Sequence, residues 1–363
     1  RDAQESRGLG DVYKRQHFNR SAAYAFATRF NLYYLKWGKV VKYASEVLGS
    51  DPSTVMRDWS AVKQLAWDGS VRTLDYISVG HSFNLLMIPM VTGNGSLFNA
   101  WSSSGARFTH NYRIAKKETY RAKRPMGGPW DQWKDNCIEK VYQHPPFIWQ
   151  DNDVNKIYMP KWPNQWEVTD PVTGVGIGRS TMVAFTTNET VLSRAEAYIH
   201  LKEYDKAVAD LNAWIGSFYL VGQNGIESLT RERIAEVYGD PSSDRYIAEY
   251  TPLEPTSRKP LHPHGFPVEA GEQEHMLQCA LFCRRIETIA DGLRWSDIKR
   301  YGIVVDRFDD SAYNDDNTTG FTVAATLGEK DLRRALQLPQ EVITAGLEAN
   351  PRNENRPDHP FCQ

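Results

Sequence analysis

The feature that most constrains the fold is a charged stretch near the C-terminal end, residues 284–302. Charges of both signs recur in it at spacings of three and four residues, so a helix would place them on one face. These residues are Arg284, Glu287, Asp291 and Arg294. Gly292 is suited to ending that helix, and Asp297 then lies near the start of a second short helix. Taken alone, such a stripe is more often a solvated face than a site.

The same stretch resembles the C-terminal signature of SusD/RagB-like nutrient-binding proteins, Glu-Arg-x-x-Glu-Leu-x-x-Glu-Gly-x-Arg-x-x-Asp-Leu-x-Arg-x-Gly. The positions identical to that signature are Arg284, Glu287, Gly292, Arg294, Asp297, Arg300 and Gly302. Asp291 and Ile298 are conservative replacements, whereas Cys283 and Thr288 replace a Glu and a Leu of the pattern. The match predicts that the charged residues are structural and join the signature helices to a helical scaffold. This set is Arg284, Glu287, Asp291, Arg294, Asp297 and Arg300.

The resemblance also implies a function and a location. Proteins of this family are outer-membrane lipoproteins exposed at the cell surface. They capture oligosaccharide, or alternatively peptide, and deliver it to a SusC-like TonB-dependent transporter without catalysing a reaction. The resemblance therefore implies a transporter partner, an oligosaccharide ligand, no cofactor, and a lipid anchor that lies outside this sequence.

Two segments show the pattern of tetratricopeptide-like helical hairpins, at about 19–49 and 188–216. Segment 37–41 aligns with 204–208, so that an aromatic residue, a lysine, a small residue and a valine recur in register. Tandem repeats of this class recur about every 34 residues, but these two lie much further apart. The SusD-like family also embeds such hairpins non-contiguously. We predict helices over 19–35, 39–49, 188–201, 204–216 and 274–291.

The predicted fold class is mainly α, with one SusD-like domain over residues 17–352 and a polar tail over 353–363. A loop-rich insert at 61–186 separates the hairpins, and the signature helices occupy 274–302. Near the end, residues 336–342 and Asn350-Pro351 resemble the Leu-Pro and Asn-Pro elements that close the family's sequences. Residues 1–16 contain a segment that back-translates to a transposase mosaic end. We interpret them as disordered read-through from a sequencing adaptor and expect the gene to begin upstream.

The insert contains seven of the eleven tryptophans. They are Trp67, Trp101, Trp130, Trp133, Trp149, Trp162 and Trp166. Their Gly, Pro, Asn and Asp neighbours predict loops, and an indole in a loop can stack on the C–H face of a sugar ring. Packing under a loop is the more common role for any single tryptophan. The candidate ligand residues are Trp130, Trp133, Trp162 and Trp166.

Other candidate sites are weaker. An acidic loop containing Asp306, Asp309, Asp310, Asp315 and Asp316 could bind Ca²⁺ through its carboxylates, although it lacks the EF-hand spacing and a solvated loop is more common. Cys279 and Cys283 are spaced as a buried apolar pair on a helix. Gly174–Gly178 precedes a strand-like segment, which removes the helix N-terminus that a phosphate loop requires. No other metal site is predicted.

Composition narrows the function classes. The net charge of −2 includes no basic cluster for nucleic acid, and no apolar stretch reaches the length of a spanning helix. Two alternatives to nutrient capture remain open. One is a glycan-degrading enzyme of the same uptake system, although no catalytic motif is present. The other is a tetratricopeptide-like adaptor that binds proteins in its groove.

Overall fold

The computed structural model is mainly helical, which confirms the predicted fold class. The residues that it describes are 17–65, 69–98, 110–111, 114, 117–119, 122–128, 156–157, 161–223, 225–309 and 322–352. Its helices are α1 Arg20–Tyr33, α2 Trp37–Leu48, α3 Trp59–Lys63, α4 Gly69–Tyr76, α5 Asn94–Phe98, α6 Thr187–His200, α7 Tyr204–Phe218, α8 Arg231–Gly239, α9 Glu272–Glu287, α10 Arg294–Arg300 and α11 Gln340–Thr344. Short 3₁₀ turns cover Pro52–Val55 and Leu332–Arg334.

The strands are short compared with the helices. They are β1 Asn84–Val91, β2 His110–Asn111, β3 Lys156–Ile157, β4 Gln165–Asp170, β5 Val175–Thr186, β6 Val305–Asp309 and β7 Thr322–Leu327. All pairings are antiparallel: β1-β5-β4 form one sheet, and β2-β3 and β6-β7 form two-stranded ribbons. The insert is expected to be mostly irregular with short strands and helices, and its described part contains a three-stranded sheet whose strand β5 is longer than expected. The strand-like segment after Gly178 belongs to β5.

The two hairpins, α1-α2 and α6-α7, use the same turn. Leu35 and Lys202 occupy equivalent positions with positive φ angles of 59° and 61°. In each turn the next residue donates its backbone N–H five residues back, from Lys36 to Asn31 and from Glu203 to Tyr198. The aromatic residues Trp37 and Tyr204 then open the second helices, in the register that the sequence alignment predicts.

The hairpins and the signature helices share one core. Helix α6 packs against α1, α2, α7 and α9, and it therefore lies at the centre of the helical body. Fully buried residues from these elements include Leu48, Leu192, Leu211, Trp214, Leu277 and Ile286. Cys279 and Cys283 belong to the same core and are not bridged, as predicted. The signature helix thus packs directly on the second hairpin.

A second, smaller core joins α1 to the sheet. Ala22 and Ala25 pack against Leu86 of β1 and Phe185 of β5. Strand β5 continues into α6 without a loop, and the Thr186 side chain caps the helix by accepting a hydrogen bond from the N–H of Glu189. The sheet is therefore attached to both hairpins, to the first through its packing against α1 and to the second through the junction of β5 with α6. These attachments set the position of the outer strand β4.

Helix α9 ends at Glu287, four residues before the predicted end. The hydroxyl of Thr288 donates to the carbonyl oxygen of Arg284 at 2.8 Å, and Ala290 adopts a left-handed φ of 66°. The chain therefore leaves the helix before Asp291. The expectation that Asp291 shares a helix face with Arg284 is not met, and Asp291 points instead toward the insert.

Candidate functional site

Of the four candidate tryptophans, Trp130 and Trp133 lie outside the described residues. The other two differ sharply in exposure. Trp162 is buried, with 7% of its surface exposed, whereas Trp166 is 64% exposed. Only an exposed ring can stack on a ligand, so Trp166 can bind a sugar ring in this way and Trp162 cannot.

Trp162 connects the insert to the signature segment. Its Nε1 donates a hydrogen bond to the carbonyl oxygen of Ala290 at 2.9 Å. Its ring stacks on Phe98, with the centroids 6.2 Å apart. A ring that is enclosed in this way offers little surface to a sugar, and its geometry is that of a packing residue.

Lys161 also connects the insert to the signature segment, through its charged amino group. Its buried Nζ donates to the carbonyl oxygen of Glu287 and to Oδ2 of Asp291, the latter at 2.8 Å. Burial raises the pKa of Asp291, and the charge of Lys161 opposes that rise. Asp291 is therefore the signature residue that binds the insert rather than the helical scaffold. The sequence did not single out Lys161, because a lysine between a proline and a tryptophan has no distinctive spacing.

Trp166 lies on β4, the outer strand of its sheet. A Cβ atom placed on Gly176 of the neighbouring strand would be 2.6 Å from Trp166 Nε1, so the indole lies directly against the glycine backbone. The missing side chain at Gly176 thus makes room for the ring. Val168, two residues along on the same face, is also exposed. Together they form an exposed apolar surface at the edge of the sheet.

The opposite face of this sheet edge carries a charge pair. Glu167 of β4 and Arg179 of β5 form an ion pair across the two strands. Alternation along a strand places Glu167 on the face opposite to Trp166. The indole can therefore supply stacking surface, while the ion pair holds the strand that carries it.

Three signature residues form a buried charge network with α6. Arg284 donates to Asp297 from Nε and Nη2, both at 3.3 Å, and also lies 3.5 Å from a carboxylate oxygen of Glu196. Arg300 donates to the same two acids, reaching Asp297 at 2.7 Å. Arg284, Glu196 and Asp297 have no exposed side-chain surface. The network joins α9 and α10 to the second hairpin.

Both carboxylates of this network carry their charge. Burial would raise the pKa of Asp297 and of Glu196, but the guanidinium groups of Arg284 and Arg300 hold both below their ordinary values. Glu196 also accepts a hydrogen bond from the Tyr301 hydroxyl at 2.7 Å. The network thus pairs two positive with two negative groups through several hydrogen bonds, which is the condition under which buried ions are tolerated. Nε of Arg300 is buried and has no hydrogen-bond partner among the described residues.

Glu287 lies outside that network. Its Oε2 accepts a hydrogen bond from Trp214 Nε1 at 2.8 Å, and burial raises its pKa to about 7 against the opposing charge of Lys161. Arg294 forms no ion pair and donates no hydrogen bond to any residue that the structure describes, and its Nη1 is buried. The expected pairing of Arg294 is therefore not found.

The sequence did not identify Glu196, the acid on which the network converges. One feature of the sequence could have identified it: Glu196 lies between Ala195 and Ala197 on a predicted helix. A charged side chain that is buried among apolar residues has to be paired. Nothing in the spacing of Arg284 and Arg300 shows which helix they meet.

The predicted calcium loop remains a prediction. Asp310, Asp315 and Asp316 lie outside the described residues, as does the side chain of Asp309. Asp306 accepts hydrogen bonds from the Tyr250 hydroxyl at 3.0 Å and from the Thr326 hydroxyl at 2.6 Å. Within the described ranges, no three His, Cys, Asp or Glu residues are arranged to hold a metal ion. No described helix combines the length and the apolar character required to cross a membrane.

No family model and no curated protein matches this sequence. A SusD superfamily protein from Bacteroides thetaiotaomicron VPI-5482 is 16% identical with a TM-score of 0.48, covering 92% of this chain and 61% of that one. A SusD-like protein from Bacteroides fragilis NCTC 9343 is 13% identical with a TM-score of 0.49, covering 93% and 66%. A SusD-like carbohydrate binding protein from Bacteroides vulgatus ATCC 8482 is 14% identical with a TM-score of 0.42, covering 86% and 52%.

These structures are described as SusD-like, and the signature at residues 284–302 resembles that of the same family. The chain spans between 51% and 66% of the length of the SusD-like structures that it matches. Because the identities and TM-scores are this low, we infer function from the chain's own residues.

Proposed function

We propose that this chain captures oligosaccharide at the bacterial cell surface and delivers it to a TonB-dependent outer-membrane transporter, without catalysing a reaction. The observation that carries the proposal is the signature at residues 284–302, which resembles that of SusD-like nutrient-binding proteins. Its charges Arg284, Asp297 and Arg300 meet Glu196 of the second hairpin in one buried network. This contact between the signature and the second hairpin supports the proposal.

Trp166 is the candidate ligand contact that the structure favours. A pyranose ring stacks its C–H face on an exposed indole, and the indole against Gly176 is open to such a ring. Stacking of this kind contributes on the order of 1 kcal/mol, or about a fivefold change in affinity. Affinity in this class of site is therefore modest for each ring and grows with the number of rings engaged. Trp130 and Trp133 remain candidates for the further rings.

The transporter and the anchor belong to the same proposal. A SusC-like transporter is the partner that the signature implies, and a lipid anchor would hold the protein at the outer membrane. Co-purification with a SusC-like transporter from membranes tests the partner. Detection of a lipid-modified cysteine in the protein recovered from outer membranes tests the anchor.

The ligand is tested by affinity electrophoresis against a panel of polysaccharides. We expect one or more of them to retard the protein, and Trp166→Ala to reduce that affinity about fivefold or more without changing the unfolding temperature. Val172→Ala is the matched control, because Val172 is an exposed apolar residue of the same hairpin outside the strands. Trp162→Phe, which removes the bond to Ala290, should lower stability and leave the affinity unchanged.

Three results would contradict the proposal or one of its parts. Retention of full affinity by folded Trp166→Ala would move the stacking surface elsewhere. Release of reducing sugar from the retarding polysaccharide would make the protein an enzyme. Binding of peptides in place of every glycan in the panel would favour the peptide-capturing alternative.

A further inference from the structure

A cavity of about 470 Å³ lies between α10, β6 and the segment around Glu118. This volume falls in the range of small-ligand pockets. Part of its wall is apolar, formed by Ile114, Ile298, Ile303 and Phe308. The rest is charged: four cationic side chains face two carboxylates. They are Lys259, Arg285, Arg294 and Arg307 against Glu118 and Asp306.

One of the two carboxylates is shared by two cations. Oε2 of Glu118 lies 2.7 Å from Lys259 Nζ and 2.9 Å from Arg285 Nη1. All three side chains are largely buried. Burial would raise the pKa of Glu118, but Arg285 and Lys259 lower it to about 2. Glu118 is therefore ionised, and a single negative charge compensates two positive ones.

The other carboxylate is occupied by neutral donors. Asp306 accepts hydrogen bonds from the hydroxyl groups of Tyr250 and Thr326. It lies in no ion pair with a described cation. Asp306 therefore accepts no hydrogen bond from a described arginine of the cavity.

Arg294 is the half-buried cation of the cavity that has no direct partner within the described ranges, whereas Arg307 is exposed to water. Among the described residues Arg294 has neither an ion pair nor a hydrogen-bond acceptor, although its Nη1 is buried. Burial, and then the like charge of Arg285, lower its pKa to about 9, although the negative charges of Asp297 and Glu118 oppose the decrease. A guanidinium group normally finds a carboxylate or carbonyl partner when it is removed from water. The cavity that Arg294 lines is the place where a ligand can provide that partner.

We propose that this cavity binds a small organic carboxylate, with Arg294 pairing its oxygen atoms and the apolar wall contacting its carbon skeleton. A planar carboxylate matches the two parallel N–H groups of a guanidinium. A bare inorganic anion would leave most of the 470 Å³ and the apolar wall unused. Two sources share this chemistry, a uronic acid and the C-terminus of a short peptide. No residue of the cavity belongs to the Trp166 surface, so the proposal holds independently of the proposed glycan capture.

Lys259 gives the binding a pH dependence. Burial lowers its pKa to about 7; Glu118 opposes the decrease, and the charges of Arg285 and Arg294 add to it. Lys259 Nζ also lies 3.1 Å from the centre of the Tyr250 ring, and Asp306 lines the same cavity. An entering carboxylate favours the protonated lysine, so affinity should fall as the pH rises from 6 to 8.

The test is calorimetric titration with two pairs of probes. Sodium galacturonate is compared with galactose, which has the same ring without the carboxylate. A dipeptide with a free C-terminus is compared with its C-terminal amide. We expect one carboxylate probe to bind at least about tenfold more tightly than its neutral counterpart. Binding of the galacturonate identifies a sugar acid as the source, and binding of the dipeptide identifies a peptide.

Arg294→Gln should weaken the bound carboxylate at least about tenfold, and Arg294→Lys should restore part of the affinity because it restores the charge alone. Loss of Arg294 removes no hydrogen bond to a described residue, so the variants should fold. Arg231→Gln is the matched control, since Arg231 is an exposed arginine paired with Glu272 on another surface. The proposal is overturned if neither carboxylate binds better than its neutral counterpart, or if Arg294→Gln binds as tightly as the parent.

Discussion

Substitution of Asp297 by alanine tests the structural role of the signature most directly. Asp297 is completely buried and accepts two hydrogen bonds from Arg284 and one from Arg300. Without it, two buried guanidinium groups would share the single carboxylate of Glu196. Leaving a buried charge uncompensated costs roughly 3–5 kcal/mol. We expect the free energy of unfolding of Asp297→Ala to fall by about that amount.

Urea denaturation followed by circular dichroism measures this change. Asp205→Ala is the matched control, because Asp205 pairs with Arg231 at 3.3 Å while its side chain is 85% exposed. The control should unfold at the same urea concentration as the parent. Asp297→Asn should lie between the parent and Asp297→Ala, since the amide retains an acceptor but loses the charge.

A pH series gives a second measure of the same residue. The folded-state pKa of Asp297 lies below its ordinary value of 3.8 because Arg284 and Arg300 outweigh burial. Its contribution to stability is therefore complete above pH 3.8 and is lost as the pH falls through the lower folded value. The parent and Asp297→Ala should converge in strong acid. A variant that unfolds like the parent but loses glycan binding would refute the structural role and make Asp297 a ligand contact.

Two further substitutions test neighbouring parts of the signature. Because burial raises the folded-state pKa of Glu287 from 4.5 to about 7, its contribution to stability is present below pH 4.5 and is lost as the pH rises through 7. The free energy of unfolding of Glu287→Gln, measured by urea titration, should therefore rise relative to that of the parent by up to about 3 kcal/mol between pH 4.5 and 8. A difference between the two proteins that does not change with pH would contradict this. Gly302 has a φ of 58°, and a Cβ there would lie 2.1 Å from the carbonyl oxygen of His262, so Gly302→Ala should cost about 1–3 kcal/mol. Gly216→Ala, inside α7 with no atom within 4 Å of the added Cβ, should instead stabilise by up to about 1 kcal/mol, and equal effects of the two substitutions would refute the steric explanation.

The helical part of this fold was predictable because its signals are local. Helix periodicity and a repeated turn located both hairpins, and Leu35 and Lys202 adopt the same left-handed conformation at equivalent positions. The ends were less certain. Helix α9 stops at Glu287 because the Thr288 hydroxyl and the left-handed Ala290 redirect the chain, and neither residue is a strong helix breaker in sequence.

The contacts between distant segments were not predictable. Arg284 and Glu196 are 3.5 Å apart, and Lys161 reaches Asp291, yet nothing in a single sequence pairs such distant charges. The same limit applies to the tryptophans. Trp162 and Trp166 have similar neighbours in sequence, but Trp162 finds the free carbonyl of Ala290 while Trp166 lies over Gly176 on an outer strand. Exposure was decided by tertiary position, which composition does not encode.

The geometry of α10 explains how one short signature can have two roles. Asp297 and Arg300 face the buried network, and their bonds to Arg284 and Glu196 fix the rotation of the helix. Arg294, three residues before Asp297, is thereby held at the wall of the cavity. A cation without a protein partner is costly to keep unless its position is imposed by stronger contacts nearby. The network supplies those contacts, so the same residues that stabilise the scaffold also hold Arg294 where a carboxylate can pair with it.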